Sequence, residues 1–481
     1  MAKNPDEHQE LGVTMNLVPE ISNKVSGKHI YKKLQLGFSR AIALCCLSNL
    51  RHNIDGEIRA LDASGCFGLA GVQWAKQFDT GVNIVINVAK GLKEIVETSL
   101  LQNQCKTSVK VLDEDSHVTM HSGKYMFIYL EAYGSAVTHF DAVFRSANHN
   151  GLVCITCTDT SVFQNKSPET ARRLYGANLL QTEYYQELAT RVIINNLVTA
   201  AARWNKGLKV LLCTFQEHGI SVVCRVLRGP KNGNESMASL QNLVHCQLCQ
   251  ARCFLPVHRY IQNTRQLSIC KCNSEGLEAP LMILGPMWGK DLFNKAFLFN
   301  LLHFGKMHRV PEKYCKLFFL MILESVCCDD QEAETCIVNE INRITFPEKK
   351  CCCKTETDNT EPKPKMLKLN ATNEKNYDCK NNTKDIYDEL QIMKQSSNIP
   401  FSVEETNTFQ SSAPALFFDI RHHGIKGGNP PKLLSVIEEL RSRGFKASKT
   451  HFNSCSVRTS ADLLVFNDVL QKIWDKTLEA Q

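Results

Sequence analysis

Residues 207–229 read GLKVLLCTFQEHGISVVCRVLRG, and this stretch decides the fold. Two apolar runs are joined by the short polar sequence Gln-Glu-His-Gly, a pattern typical of a β-hairpin. We therefore expect two antiparallel neighbouring strands here. The preceding stretch, residues 185–204, carries apolar residues at helical spacing and predicts a long helix.

Upstream of the hairpin, strand-like runs alternate with helix-like segments from about residue 55, which is the pattern of an α/β sheet. The first run leads through a glycine-rich turn into a helix, in EIRALDASGCFGLAGVQWAKQF. Four more strands are predicted in VNIVINV, SVKVLDED, YMFIYLEAYG and GLVCITCTD. The order predicts a doubly wound sheet that ends in an antiparallel hairpin.

Composition and length set broad limits on the protein. The chain has 481 residues, 43% of them hydrophobic, and no apolar run near the ~20 residues that a bilayer span needs. It starts with the polar MAKNPDEHQE, so we expect a protein of the nucleus, including the nucleolus, or of the cytoplasm, neither secreted nor membrane-bound. In those compartments the 22 cysteines are expected to be free thiols or metal ligands. The net charge of +7 fits RNA-handling proteins and many enzymes alike.

The character of the sequence changes along the chain. Residues 1–230 hold the predicted sheet, and residues 231–346 form a second unit with cysteine pairs. Residues 347–411 are rich in Lys, Thr, Asn, Glu and Ser, which predicts a flexible linker or insertion. Residues 412–481 form a basic segment, in which Pro430-Pro431 opens a predicted helix that ends at Gly444 and has apolar positions at Leu433, Leu434, Ile437 and Leu440.

A cofactor pocket is predicted at the carboxyl ends of the first three strands, where open α/β sheets bind ligands. Asp62, Gly65 and Gly68 lie in the turn after the first strand, where glycines let the backbone approach a ligand closely. Asn87 and Asp115 end the second and third strands, and Asp115 is suited to accept a hydrogen bond from an adenine amino group. The alternatives are a tight turn without a ligand and a solvated loop acid.

The fourth strand ends in an acid, an aromatic residue and a glycine: Glu131, Tyr133 and Gly134. An exocyclic amine of a nucleobase is a poor nucleophile because its lone pair is delocalised into the ring. A carboxylate that hydrogen-bonds the amine and an aromatic ring that stacks on the base suit a reaction at such an amine. The alternative is an ordinary strand end with a solvated glutamate.

Four cysteines occur in two close pairs, Cys246/Cys249 and Cys270/Cys272. Four thiolates at this spacing match a closed tetrahedral zinc site that stabilises a small module. Cys253 and His245 are further candidate ligands. The alternative is a chance cluster of reduced thiols in a cysteine-rich chain.

Basic residues gather near the end of the chain, and we expect them to contact phosphates and bases of RNA. The alternative is a solvated basic face. The candidate RNA-binding residues are Arg421, Lys446, Lys449, His451 and Arg458.

In this order the motifs resemble the tRNA guanine-N2 dimethyltransferase family, and within it the vertebrate tRNA methyltransferase 1-like branch. The similarity covers roughly residues 30–346 and 415–470, and its strongest stretches are DASGCFGLAGVQWAK, CTDTSVF, YGANLLQTEYYQELATRVII, LRGP, HCQLC, LGPMW and KASKTHFNSCSVRTSADL. The resemblance implies a Rossmann-like class I methyltransferase domain that binds S-adenosylmethionine. It also implies a C-terminal α+β domain that carries the zinc-type cysteine cluster and helps to hold tRNA. The implied reaction methylates the N2 amine of a guanosine near the junction of the D-arm and the anticodon stem.

The sequence departs from the family pattern at three positions. The family motif Asp-Pro-Phe-Gly, which provides the catalytic acid, corresponds to residues 131–134, Glu-Ala-Tyr-Gly. Val88 stands where the family has an acid for the ribose hydroxyls, and Phe67 replaces a small hydroxyl residue. Two hypotheses therefore stand: a methyltransferase with Glu131 and Tyr133 as catalytic residues, or a tRNA-binding paralogue with weak or no catalysis. A third, a zinc-stapled nucleic-acid module, leaves the order of the strands unexplained.

Overall fold

The computed structural model describes residues 7–16, 35–164, 167–216, 219–257, 267, 269–273, 280–327, 414–424 and 429–479. All of them belong to one compact unit, formed by residues 1–331 and 410–481. The second unit, residues 332–409, lies outside the described residues, and so does the predicted linker at 347–411. The division of the chain at residues 230, 346 and 411 stays a prediction.

A seven-stranded sheet is built in the order β5-β4-β3-β6-β7-β9-β8. It is preceded by a small hairpin of β1 (Glu7–Glu10) and β2 (Val13–Asn16). The seven strands are β3 (Ile58–Cys66), β4 (Val82–Val88), β5 (Val109–Leu112), β6 (Tyr125–Ala132), β7 (Ala147–Cys157), β8 (Lys206–Gln216) and β9 (Gly219–Arg228).

The sequence predictions for this sheet are confirmed. Strands β5, β4, β3, β6 and β7 pair in parallel, whereas β9 is antiparallel to both of its neighbours, β7 and β8. The hairpin turn brings Thr214 opposite Ser221. Strand order reverses between β3 and the central strand β6, and open α/β sheets bind ligands at the carboxyl ends of such a pair of strands. This is a Rossmann-like sheet that ends in an antiparallel hairpin.

Helices cover the sheet because its strands are apolar on both faces. They are α1 (Gly37–His52), α2 (Leu69–Gln77), α3 (Lys93–Gln102), α4 (Ser116–Ser122), α5 (Phe140–Ser146), α6 (Pro168–Tyr175) and α7 (Tyr185–Arg203). Every residue of α1 from Gly37 to Leu50 is buried. Among the helices of the described ranges, none has the length and the apolar composition that crossing a membrane requires.

The remainder of the unit holds two small antiparallel sheets and five helices in the described ranges. One sheet has the order β11-β10-β12 and the other the order β13-β15-β14. The strands are β10 (Leu240–Cys246), β11 (Arg252–Pro256), β12 (Leu281–Trp288), β13 (Phe418–Asp419), β14 (Ala447–Lys449) and β15 (Ser456–Thr459). The helices are α8 (Pro230–Ala238), α9 (Lys295–Met307), α10 (Glu312–Val326), α11 (Leu433–Ser442) and α12 (Leu463–Glu479).

Helix α11 forms where Pro430-Pro431 predicted it, with one error in its buried face. Leu434 is 54% exposed, and Val436 is fully buried beside Ile437 and Leu440. The buried face therefore includes Val436 in place of Leu434, while Leu433 is partly buried against the same core. A leucine on the outer face of a surface helix is common, since polar residues alone do not cover a protein.

The β1–β2 hairpin is attached to the sheet through Asn103, which follows α3. The side-chain amide of Asn103 donates to the carbonyl oxygen of Thr14 over 2.7 Å, and the Asn103 carbonyl Oδ1 accepts from the Thr14 N–H over 3.0 Å. This pair of hydrogen bonds fixes the hairpin and, with it, the position of Glu10.

Candidate active site

Glu131 is the penultimate residue of β6, at the carboxyl end of a central strand. Its side chain is buried, and Oε2 accepts hydrogen bonds from the Tyr129 hydroxyl at 2.6 Å and from Nη1 of Arg40 at 3.2 Å. The same Nη1 lies 3.5 Å from Oε1. The carboxylate is thus held from one side, and the alternative of a solvated glutamate at this strand end is excluded.

Arg40, on the buried helix α1, joins Glu131 to Glu10 of the small hairpin. Its Nε and Nη2 donate to the two carboxylate oxygens of Glu10 at 2.7 and 2.8 Å. Burial would lower the pKa of Arg40, but Glu10 and Glu131 raise it well above its usual value. Burial would likewise raise the pKa of Glu10, but Arg40 holds it well below its usual range. One guanidinium is thus shared by two carboxylates, and His8 and Gln73 also contact Glu10.

The turn after Glu131 is fixed by Thr158, which follows β7. The N–H of Gly134 donates to the Thr158 hydroxyl at 2.8 Å, and the N–H of Thr158 donates to the carbonyl oxygen of Gly134 at 3.1 Å. Gly134 has a φ of +83°, a conformation that favours glycine, so the chain bends here as predicted. Tyr133 is 41% exposed, which leaves part of its ring surface accessible next to the buried carboxylate.

The glycine-rich turn follows β3, the strand next to β6. Asp62 and Gly65 both lie within β3, and not in the turn where the sequence placed them; Asp62 is opposite Tyr129 of β6. Its Oδ2 accepts from the N–H of Gly71 at 2.9 Å, so the carboxylate ties the strand to the start of α2. Gly68 has a φ of +64°, and a Cβ there would lie 2.5 Å from Cγ2 of Ile86. A side chain at Gly68 would therefore be both strained and crowded.

Asn87 and Asp115 lie at the carboxyl ends of β4 and beyond β5, as predicted, and both make hydrogen bonds within the protein. The Asn87 amide donates to the carbonyl oxygen of Glu114 at 3.1 Å and accepts from its N–H at 3.3 Å. Asp115 caps α4 by accepting from the N–H of His117 at 2.8 Å. Val88 is buried, with Cγ1 3.1 Å from the place of a Cβ on Gly68, so an apolar surface borders the glycine turn.

Sequence reasoning missed three members of this site: Glu10, Arg40 and Tyr129. A signal for Arg40 was present, because it is a lone cation in the otherwise apolar segment GFSRAIALCCLSNL. A cation at such a position must be paired once the helix is buried. Its partners could not be named from the sequence, since Glu131 is 91 residues away from it.

The four predicted zinc ligands come together. Sγ atoms of Cys246, Cys249, Cys270 and Cys272 all lie within 4.8 Å of one another. A tetrahedral zinc with Zn–S bonds of about 2.3 Å needs sulfur atoms roughly 3.8 Å apart, so this arrangement fits the ion. The other candidates lie outside the group: Cys253 is exposed, and Nδ1 of His245 is 2.8 Å from the Tyr184 hydroxyl.

The predicted RNA-binding residues are divided between the surface and the interior. Lys449 is exposed on β14, and Lys446 is partly exposed just before it. The Arg421 side chain is 57% exposed and forms an ion pair with Asp419 at 3.1 Å. These three residues are accessible to a large anionic ligand.

His451 and Arg458 are buried, a position that conflicts with their predicted contact with RNA. Arg458 donates to Glu187 of α7 at 2.8 Å and to Glu324 of α10 at 2.7 Å. Nδ1 of His451 lies 2.7 Å from Oε2 of Glu324. Arg191 pairs with Glu187 at 2.8 Å. The physical reason is that buried carboxylates need hydrogen-bond donors, and the basic motif supplies the Arg458 guanidinium together with the backbone N–H and a ring nitrogen of His451.

Comparisons with known proteins give the family and the fold of this chain. Residues 14–348 match the family model described as N2,N2-dimethylguanosine tRNA methyltransferase. The chain belongs to this family. A solved structure described as Trm1 from Pyrococcus horikoshii with S-adenosyl-L-methionine aligns with a TM-score of 0.63 at 15% identity, over 96% of this chain and 99% of that one. At this identity the likeness shows the fold.

Relatives in the family align with most of this chain. The rat tRNA (guanine(27)-N(2))-dimethyltransferase is 31% identical over 92% of this chain. The human protein of the same name is 31% identical, also over 92%. The chain spans about three fifths of these relatives, 61% of the rat protein and 60% of the human one. The tRNA (guanine(26)-N(2))-dimethyltransferase of Methanobrevibacter smithii is 22% identical over 96% of this chain and 97% of its own.

Proposed function

We propose that the protein is an S-adenosylmethionine-dependent tRNA methyltransferase that modifies the N2 amine of a guanosine near the junction of the D-arm and the anticodon stem. The observation that carries this proposal is the buried carboxylate of Glu131, held by Arg40 and Tyr129 at the carboxyl end of a central strand. Membership of the family supports the reaction class, and the names of the rat, human and archaeal relatives support tRNA guanosine as the substrate.

The residues of the site have distinct tasks in this reaction. S-adenosylmethionine supplies an electrophilic methyl group when it is bound. Glu131 accepts a hydrogen bond from the guanine amine and takes the proton that the amine loses as its nitrogen gains the methyl group. Tyr133 stacks on the base with its exposed ring, and the bend at Gly134 ends the strand directly after these residues.

The residues present fit S-adenosylmethionine in part. Gly65 and Gly68 let the backbone approach the cofactor, and Gly68 has no room for a side chain. Asp62 fixes this turn, and Asp115 offers a carboxylate that is 65% exposed at the end of its strand. Asn87 is occupied by Glu114, so we assign it to support of the pocket wall. Val88 provides no acceptor for ribose hydroxyls, which predicts weaker binding than an acid would give.

Two further assignments belong to the same proposal. Zn²⁺ bound by Cys246, Cys249, Cys270 and Cys272 stabilises the small sheet β11-β10-β12, because two of the ligands end or follow β10. Arg421, Lys446 and Lys449 contact tRNA phosphates. Localisation in the nucleus or the cytoplasm remains a prediction.

Methyl transfer to unmodified tRNA tests the proposal. The assay compares the wild type with Glu131→Gln and Glu131→Asp, and nucleoside analysis identifies the product. The amide of Gln cannot take the proton, so we expect Glu131→Gln to abolish methylation while tRNA binding is retained. Glu131→Asp restores the family's acid, although the shorter side chain changes the distance to Arg40, and is expected to keep activity.

A control substrate removes the reacting group. Inosine lacks the 2-amino group, so tRNA carrying inosine at the modified position is expected to accept no methyl group. Equal methylation by the wild type and Glu131→Gln would refute the role of the carboxylate. Binding of tRNA without methylation by any of the three proteins would favour the second candidate, a tRNA-binding paralogue. The departures from the family pattern at Glu131, Ala132 and Val88 are the observations that favour this candidate.

A further inference from the structure

Four buried hydroxyl groups form a hydrogen-bonded row that ends on Glu131. The Ser221 hydroxyl of β9 lies 2.8 Å from that of Thr156 on β7, and Thr156 lies 2.5 Å from Ser39 on α1. The Ser39 hydroxyl lies 2.8 Å from that of Tyr129, which donates to Oε2 of Glu131 at 2.6 Å. All five side chains are buried. The row crosses three neighbouring strands and one helix.

The chemistry of the groups fixes the direction of every hydrogen bond in this row. Burial and the Glu131 carboxylate raise the pKa of Tyr129 well above its usual value, so the phenol keeps its proton. A carboxylate only accepts hydrogen bonds, and a hydroxyl has one proton to donate. Tyr129 therefore donates to Glu131, Ser39 to Tyr129, Thr156 to Ser39 and Ser221 to Thr156. Hydrogen bonds aligned in this way polarise and strengthen one another.

The two oxygens of Glu131 are consequently in different situations. The row and the shorter contact of Arg40 both converge on Oε2. Among the contacts of the described residues, Oε1 has only the 3.5 Å contact with Arg40. The carboxylate is thus anchored by one oxygen, which leaves the other oriented for a donor outside this cluster.

We propose that Ser39, Thr156 and Ser221 are positioning residues for Glu131, which act through Tyr129 to hold Oε2 and to aim Oε1 at the substrate amine. This inference rests on the proposed function. The three residues lie in separate parts of the sequence and carry no recognisable motif. A carboxylate displaced by ~1 Å loses about a hundredfold in rate, which sets the scale of the expected effect.

Substitutions along the row test the proposal. Thr156→Val preserves side-chain shape and strand preference but removes the hydroxyl, and Thr156→Ser retains it. We expect Thr156→Val to lower kcat about 10- to 100-fold with unchanged KM for tRNA, and Thr156→Ser to restore the rate. The loss is expected to decline in the order Tyr129→Phe, Thr156→Val, Ser221→Ala. If kcat fell equally in Thr156→Val and Thr156→Ser, or fell in neither, the proposed positioning role would be overturned.

A measurement without catalysis separates this inference from the proposed function. A short hydrogen bond from a phenol to a carboxylate gives a downfield proton resonance in NMR spectra. We expect that resonance in the wild type, its loss in Tyr129→Phe, an upfield shift in Thr156→Val and recovery in Thr156→Ser. An absent or unmoved resonance refutes the row as a support of Glu131. The expected shifts in a protein that never methylates tRNA would instead refute the proposed function.

Discussion

Nη1 of Arg40 lies 3.2 Å from Oε2 of Glu131, and the other nitrogens of the same guanidinium bind Glu10. The candidate catalytic carboxylate is therefore connected to a hairpin at the start of the chain and to a buried helix. Arginine suits this place because its planar fork bridges two carboxylates at once. The family motif alone, at residues 131–134, gives no hint of this support.

Removal of the Arg40 charge is expected to destabilise the fold strongly. Arg40→Met leaves two largely buried carboxylates without their cation, which costs about 3–5 kcal/mol of unfolding free energy. Adding Glu10→Gln to Arg40→Met is expected to recover part of this loss. Urea unfolding measures the free energy of unfolding of the single and the double variant. The control is Arg203→Met, whose partner Asp141 is about half exposed, with a change below about 1 kcal/mol. Equal losses for Arg40→Met and the control would contradict the prediction.

Val88→Asp is expected to tighten S-adenosylmethionine binding, because the carboxylate accepts hydrogen bonds from ribose hydroxyls. The gain is roughly 1–3 kcal/mol in binding free energy, measured by calorimetry. Val88→Asn, of similar size and without the charge, is the control and is expected to gain less. Thermal unfolding of both variants checks that the buried position tolerates a polar group. Failure of wild type and variant alike to bind the cofactor would exclude the methyltransferase reaction.

Zinc is expected at about one ion per chain by elemental analysis. Cys249→Ser removes one of the four clustered thiols and is expected to lower both zinc content and the melting temperature. Cys253→Ser provides a matched control, since Cys253 is exposed and lies outside the cluster. If the wild-type protein contained no zinc and had the same melting curve as Cys249→Ser, the four thiols would not form a zinc site.

tRNA affinity is expected to depend on Lys446 and Lys449. Each lysine that neutralises a phosphate adds roughly 0.7–0.9 to the slope of log affinity against log salt concentration. Lys446→Ala with Lys449→Ala is therefore expected to weaken binding and to flatten the slope by up to about 1.8. The control is Lys231→Ala, an 89% exposed lysine of α8. If the double substitution left the slope unchanged, Lys446 and Lys449 would not contact tRNA phosphates.

Acid stability is expected to depend on Glu324. Burial alone would raise its pKa, but His451 and Arg458 lower it to about 2. A lowered pKa stabilises the folded state fully above the unfolded value of about 4.3, and this contribution is lost as the pH falls toward 2. The stability difference between wild type and Glu324→Gln should thus shrink between about pH 5 and pH 2. Glu169→Gln, at an 81% exposed carboxylate, is expected to show no such trend.

Local patterns in the sequence predicted the sheet, its hairpin and the cysteine cluster, because each depends on residue spacing. Strand β4 was placed at its observed bounds, and α7 within one residue. The errors arose where tertiary pairing decides. Arg458 is a basic residue in a basic segment, and nothing near it in sequence shows that Glu187 and Glu324 bury it. Leu434 and Val436 show the same limit for a helix face.

Arg458 has a further consequence for how the protein is made. Glu187 and Glu324 leave the ribosome well before Arg458, which is 271 residues after Glu187 and 134 after Glu324. Until then, Glu324 has neither His451 nor Arg458 as a partner, and Glu187 has only the ion pair with Arg191. We therefore expect the emerging chain to close this region only after the segment that carries His451 and Arg458 has been made. Early termination or splicing before codon 458 is expected to yield a protein that contains the residues of the proposed methyl-transfer site and still fails to mature.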